Sequence, residues 1–157
     1  MNTIKIVITK EDIYGRLFAT SAYTARAREA IGTPTGITER MQLTADDKAI
    51  IDPMIDSSIN EILCYISRYH PGSSVENNDN SEYRFCIPTP ANYPTGNADK
   101  LAGSIKSYIT NLTLQNWYTG IKPDEANIAT AKAQNDAITI QAMLTQRAKP
   151  TRTTDNA

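Results

Sequence analysis

The residues best suited to hold a metal are two cysteines and one histidine, Cys64, His70 and Cys86. A structural zinc site needs four ligands, usually supplied in CxxC or HxxxH pairs so that one turn presents two together. No such pair occurs here, so the expectation is no metal and reduced thiols, with one bridge between Cys64 and Cys86 as the alternative. His70 directly precedes Pro71 at the end of an apolar-faced segment. That position suits a cation capping the carbonyl end of a helix.

Paired carboxylates are the next candidates. Asp46, Asp47, Asp52 and Asp56 could fall on one helix side, yet Asp46 and Asp47 are accounted for by the preference for acids at a helix start. Ser57, Ser58, Ser73 and Ser74 have only His70 as a base. The chain contains no GxxxxGK[ST], GxGxxG or GxSxG, so neither a phosphate cradle nor a nucleophile elbow is visible. No enzyme activity and no cofactor are expected.

Composition narrows the class. A chain of 157 residues, 40% hydrophobic and with net charge -1, fits one domain able to bury a core. MNTIKIVITKED has no basic region followed by a long apolar stretch, and no apolar run approaches a membrane span. A cytosolic protein, or part of something assembled there, is expected. Residues 46–82 hold eight acids against Lys48 and Arg68, whereas 83–123 set Arg84, Lys100, Lys106 and Lys122 against Asp99. The acidic stretch reads as a solvated helix surface, or as a surface that repels nucleic acid or meets a basic partner.

The elements that must position these residues are mainly helical. TIKIVIT alternates with a period of two, predicting a short strand or extended arm that needs a partner. Thr9 and Asp12 open a helix with Ile13, Leu17 and Ser21 on one face, stopped by Gly32 and Pro34. Residues 33–43 read as a connector. Thr44 and Asp47 then cap a helix whose apolar positions are Ile51, Ile55, Ile59, Ile62, Ile66 and Tyr69. Pro53 predicts a kink there, or a fresh helix start capped by Asp52.

After the polar stretch 71–82 comes an extended YRFCI, and Pro88, Pro90 and Pro94 argue against a regular central strand. A third helix is predicted from Gly96 or Asn97 to Gly120, with Leu101, Ile105, Ile109 or Tyr108, Leu112 and Asn116 or Trp117 on one side, and with Trp117 and Tyr118 either anchoring its end in the core or meeting a protein interface. The fourth begins at Pro123, with a seam of Ile128, Ala131, Asn135, Ile138 and Ala142 and with Ile140, Met143 and Leu144 near its end, while the small residues Ala126, Ala129, Ala131, Ala133, Ala137 and Ala142 let another helix approach closely. Such a weakly apolar helix often packs late, or against a neighbouring subunit. The tail TRTTDNA has no core-forming residue and is expected to be mobile in isolation.

Tyr83, Arg84, Phe85, Ile87 and Tyr93 combine aromatic and Arg anchors around a polar loop. They suggest either an interface arm or a segment packed back onto the helices. Arg147, Lys149 and Arg152 make the tail basic despite Asp155, which suits an acidic groove on a partner.

In order of elements, LTADDKAIIDPMIDSSINEILCYISRYH, the excursion ending in prolines, KLAGSIKSYITNLTLQNWYTG and the Pro-started helix closing in MLTQRAKP resemble the head-tail connector (adaptor, or head-completion) proteins of tailed bacteriophages. Leu43, Thr44 and Asp47 match the helix opening, Arg68 and Tyr69 its end, and Ile87 with Pro88 the excursion. Pro53 and the N-terminal extension, residues 1–42, depart from the pattern.

The resemblance implies a structural virion protein of the phage neck, assembled in the host cytoplasm. It implies a ring, commonly of twelve subunits, that binds the portal protein and the next tail component and passes DNA without specific binding. The expected fold is a mainly α bundle of about four helices with a short β excursion. It is a single domain: a core over 43–150 carrying loop 71–97, and a tail over 151–157. Loop and tail would grip the partners, and Asp46, Asp47, Asp52, Asp56 and Glu61 are the candidate channel-facing acids. The alternatives are another virion component, such as a tail-completion or capsid accessory protein, or a small cytosolic helical regulator or nucleic-acid-binding protein.

Overall fold

The computed structural model describes residues 2–78 and 81–149. Their order is β1 (Asn2–Thr9), α1 (Lys10–Ala30), α2 (Thr35–Met41), a 3-10 turn (Ala45–Asp47), α3 (Lys48–Tyr69), β2 (Ser74–Asn78), β3 (Glu82–Thr89), a second 3-10 turn (Thr95–Asn97), α4 (Ala98–Tyr118) and α5 (Pro123–Leu144). The protein is mainly helical with a small antiparallel sheet, and the described helices number five. The extra one is α2, inside the stretch read as a connector. It forms because Pro34 fixes the entry, Thr38 donates back to the Thr35 carbonyl, and Met41 is drawn fully into the core.

Sheet order is β1-β3-β2. β1 pairs with β3 so that Ile8, Ile6 and Ile4 lie opposite Tyr83, Phe85 and Ile87. All six are buried, while Lys5, Val7 and Arg84 alternate outward. The strand that needed a partner finds it about eighty residues away in its own chain. β1 and α1 thereby contribute to the same hydrophobic core as α3, α4 and α5.

Pro88 lies inside β3, the central strand, against the sequence expectation. The register explains its tolerance. The Lys10 amide donates to Ser81, so even-numbered β1 residues form the hydrogen-bonded pairs and Thr3 opposite Pro88 falls in a non-bonded pair. The missing N–H therefore points to the β2 side, and β2 reaches only as far as Ser74 opposite Cys86. Polar SVENN becomes a strand through pairing with β3 rather than through an apolar pattern of its own.

α3 buries Ile51, Ile55, Ile59, Ile62 and Ile66, as its periodicity predicts. Thr44 and Asp47 form a reciprocal capping box, although it opens the 3-10 turn rather than α3 itself. Pro53 stands within α3, which continues through it from Lys48. The carbonyl it leaves without a donor belongs to Ala49, which is exposed to water.

α5 corrects the predicted seam. Its buried residues are Glu125, Ala126, Ala129, Ala133, Ile140, Met143 and Leu144, and Ile128, Ala131, Asn135, Ile138 and Ala142 face outward. Small alanines let α5 pack closely on α4 along the inner face.

Candidate functional site

Tyr83, Phe85, Ile87 and Tyr93 are buried within their own chain, which overturns their assignment to a partner interface. The first three are the inward positions of β3, and Tyr93 donates its hydroxyl to the Met143 carbonyl at 3.0 Å. Arg84 alone of this group stays exposed, with Glu82 at 3.4 Å. Arg147 and Lys149 are exposed beyond α5, and Arg147 donates to the Leu144 and Gln146 carbonyls. Arg152 and the tail lie outside the described residues.

Around Tyr83 the structure gathers a polar cluster. Its hydroxyl donates to Asp56 at 2.6 Å, and Tyr14 on α1 donates to Asp52 one turn earlier on α3. The Lys48 ammonium lies 4.7 Å from the Tyr14 ring centroid, and that of Lys10 lies 5.8 Å from the Tyr83 centroid. Burial, then the Asp56 hydrogen bond, raises the Tyr83 phenol above its ordinary range; burial, then Asp52, does the same to Tyr14. Beside them opens a cleft of about 530 Å³ lined by Lys10, Glu11, Tyr14, Lys48, Asp52 and Glu82, among others. Two lysines face three carboxylates, of which Asp52 already holds the Tyr14 phenol and Glu82 lies by Arg84. The cleft thus presents charges of both signs together with the Thr9 and Ser81 hydroxyls.

The acids singled out from sequence therefore divide. Asp47 closes the capping box, Asp52 and Asp56 hold tyrosines, and Asp46 and Glu61 project into solvent. Asp56 is itself exposed, so the outer side of α3 remains acidic.

His70 is not a solvent-facing cap. It ends α3 through its backbone, but its ring is buried, with Nδ1 2.9 Å from the Pro88 carbonyl and Nε2 2.8 Å from that of Leu144. It ties α3, β3 and α5 together. The tautomer decides which carbonyl receives the N–H, and only a doubly protonated ring donates to both. Cys64 and Cys86 are free thiols, and among the described residues no group of three or more His, Cys, Asp or Glu is placed to hold a metal. Among those residues, too, no helix is long and apolar enough to cross a membrane.

Two features had no clear sequence signal. Glu125 is buried at the start of α5 and pairs with Arg28 on α1. Ser21, buried on α1, accepts from the Leu43 amide at 2.9 Å and anchors the chain between α2 and α3. Trp117 donates its indole N–H to the Met41 carbonyl at 3.1 Å, so it anchors α4 to α2.

Comparison with protein-family models, curated proteins and solved structures finds no match to this chain.

Proposed function

We propose that this chain is a structural subunit of a tailed-phage neck. Copies close into a ring of about twelve beneath the portal protein, join it to the next tail component, and let DNA pass without specific binding. The observation that carries the reading is the outer face of α5. Ile128, Ala131, Asn135, Ile138 and Ala142 recur at spacings of three and four, the pattern of a helix-to-helix seam. Ile128 and Ile138 are 40% and 64% exposed, so two large apolar side chains on this stripe remain open to solvent.

An apolar stripe at helical spacing fits another helix, and a head-to-tail contact made through it closes into a ring when the rotation permits. The order α3, hairpin, α4, α5 is also that expected of the adaptor proteins the sequence resembles. In the ring, the exposed acids Asp46, in the turn before α3, and Asp56 and Glu61 on α3 would face the DNA path and keep it from sticking. Arg84, Arg147 and Lys149 are exposed cations that could meet the portal and tail components.

The test is loss of the gene from the phage that carries it. DNA-filled heads lacking tails are expected, with the chain located at the portal vertex of intact particles by antibody labelling. Normal tailed particles without the chain would overturn the proposal.

A further inference from the structure

Among the described residues, the two large apolar side chains most open to solvent stand on α1 and at its end: Tyr23 is 76% exposed and Ile31 72%. With Ala19 and Ala27, both exposed, they form a row that recurs every four residues. The buried row of α1 is Ile13, Leu17, Ser21 and Ala25. The exposed row is two residues out of step with it and so lies on the opposite side of the helix, at about 100° per residue. An aromatic side chain set between alanines on an open helix face has the composition of an interface, where a phenol supplies apolar area and one polar tip.

Charge and shape select what covers this row. Laid on its own copy, it would set Arg16 and Arg26, exposed beside it, against the same residues. The outer face of α5 is poor in charge. From Asn127 to Ala142 its one exposed charged side chain is Lys132, because Asp136 is half-buried and accepts from Ser107 and Asn111. Asn127 and Gln134 flank the α5 stripe on the side away from Lys132, and their carboxamide oxygens can accept from guanidinium groups. Ile128 and Ile138 stand about 15 Å apart along the helix, with the smaller Ala131 and Asn135 between them. That hollow admits the Tyr23 ring. The two outer rows cannot meet within one molecule, since Arg28 and the buried Glu125 already hold α1 and α5 together by their inner sides.

We propose that the α5 seam of one copy seats on the outer row of α1 in a second copy, with Tyr23 lodged between Ile128 and Ile138. The contact joins two different faces, so each copy in a chain of copies still offers one face to the next, and the array closes when the rotation permits. A face that paired with itself would stop at two copies. The inference rests on the reading of α5 as a seam between copies and names the face that receives it.

Native mass spectrometry of the full-length chain and two variants tests it, with circular dichroism to confirm that each is folded. Tyr23→Lys and Ile138→Lys should each be monomeric at concentrations where the unaltered chain assembles. Mixed in equal amounts, the two variants, which differ in mass, should form one-to-one pairs and nothing larger. The one intact contact left to them joins α5 of the Tyr23→Lys chain to α1 of the Ile138→Lys chain. Should Tyr23→Lys not fold, Ile31→Lys takes its place in the same mixture. Tyr23→Lys that assembles like the unaltered chain, or a mixture that gives no pairs or gives larger species, would overturn this inference while leaving the α5 seam standing. An unaltered chain that is monomeric at every concentration, or Ile138→Lys that still assembles, would overturn the seam reading and this inference with it.

Discussion

Replacing His70 by Ala is the most informative test of how the fold is held together. The ring is 3% exposed and links the ends of three elements. Its loss leaves the Pro88 carbonyl without the imidazole, and a bared acceptor in the interior costs about 1–3 kcal/mol. The Leu144 carbonyl loses less, because Arg147 also donates to it at 3.2 Å. The edge-on contact with Tyr93, 5.6 Å between centroids, adds roughly 1 kcal/mol. Together these give about 3 kcal/mol, or a fall in Tm of roughly 6–12 °C for a chain of this size. Urea and thermal unfolding followed by circular dichroism measure both. His70→Gln, whose amide can still donate to one carbonyl, should recover about 1 kcal/mol of the loss. A loss below about 1 kcal/mol in His70→Ala, or Gln no better than Ala, would refute the reasoning.

Alkaline pH should destabilise the fold. Burial pushes Tyr108 and Tyr118 up to about 12, and burial with the Asp56 hydrogen bond raises Tyr83 further. The native state thus keeps these protons after the unfolded chain has released them. Stability contributed by these groups is full below the unfolded value near 10 and falls as pH rises above it, by up to about 1.4 kcal/mol per pH unit for each tyrosine. A urea midpoint unchanged between pH 9 and 11 would contradict this. Arg28→Ala should cost roughly 2 kcal/mol, because it leaves the buried Glu125 carboxylate without its cation and Arg28 itself is 27% exposed. Adding Glu125→Gln should recover part of that loss, and a double-mutant cycle showing no coupling would count against a direct pair.

Helix patterning carried α1, α3 and α4 because large aliphatic residues recur at helical spacing there, as from Ile51 to Ile66. In α5 the spacing of Ile128 and Ile138 marks the exposed side, whereas the small residues Ala126, Ala129 and Ala133, legible as a close-approach surface, form the buried face with Ile140, Met143 and Leu144. The burial of Tyr83, Phe85 and Ile87 was legible in principle. Ile4, Ile6, Ile8 and Tyr83, Phe85, Ile87 share a period of two, and pairing them buries both sets at once. Three nearby prolines obscured that signal, since Pro88 is harmless only in the one register that turns its nitrogen away from β1. The roles of His70 and Glu125 could not be read locally. Each depends on groups more than seventy residues distant, Leu144 in one case and Arg28 in the other.

The central claim is that α5 presents a seam to another copy, and native mass spectrometry of the full-length chain tests it most directly. The expected result is a closed oligomer of one copy number, near twelve, that falls to monomer in Ile138→Lys. That position is 64% exposed, so the substitution should leave the fold intact by circular dichroism. A chain that is monomeric at every concentration, or an oligomer whose copy number Ile138→Lys does not change, would contradict the account.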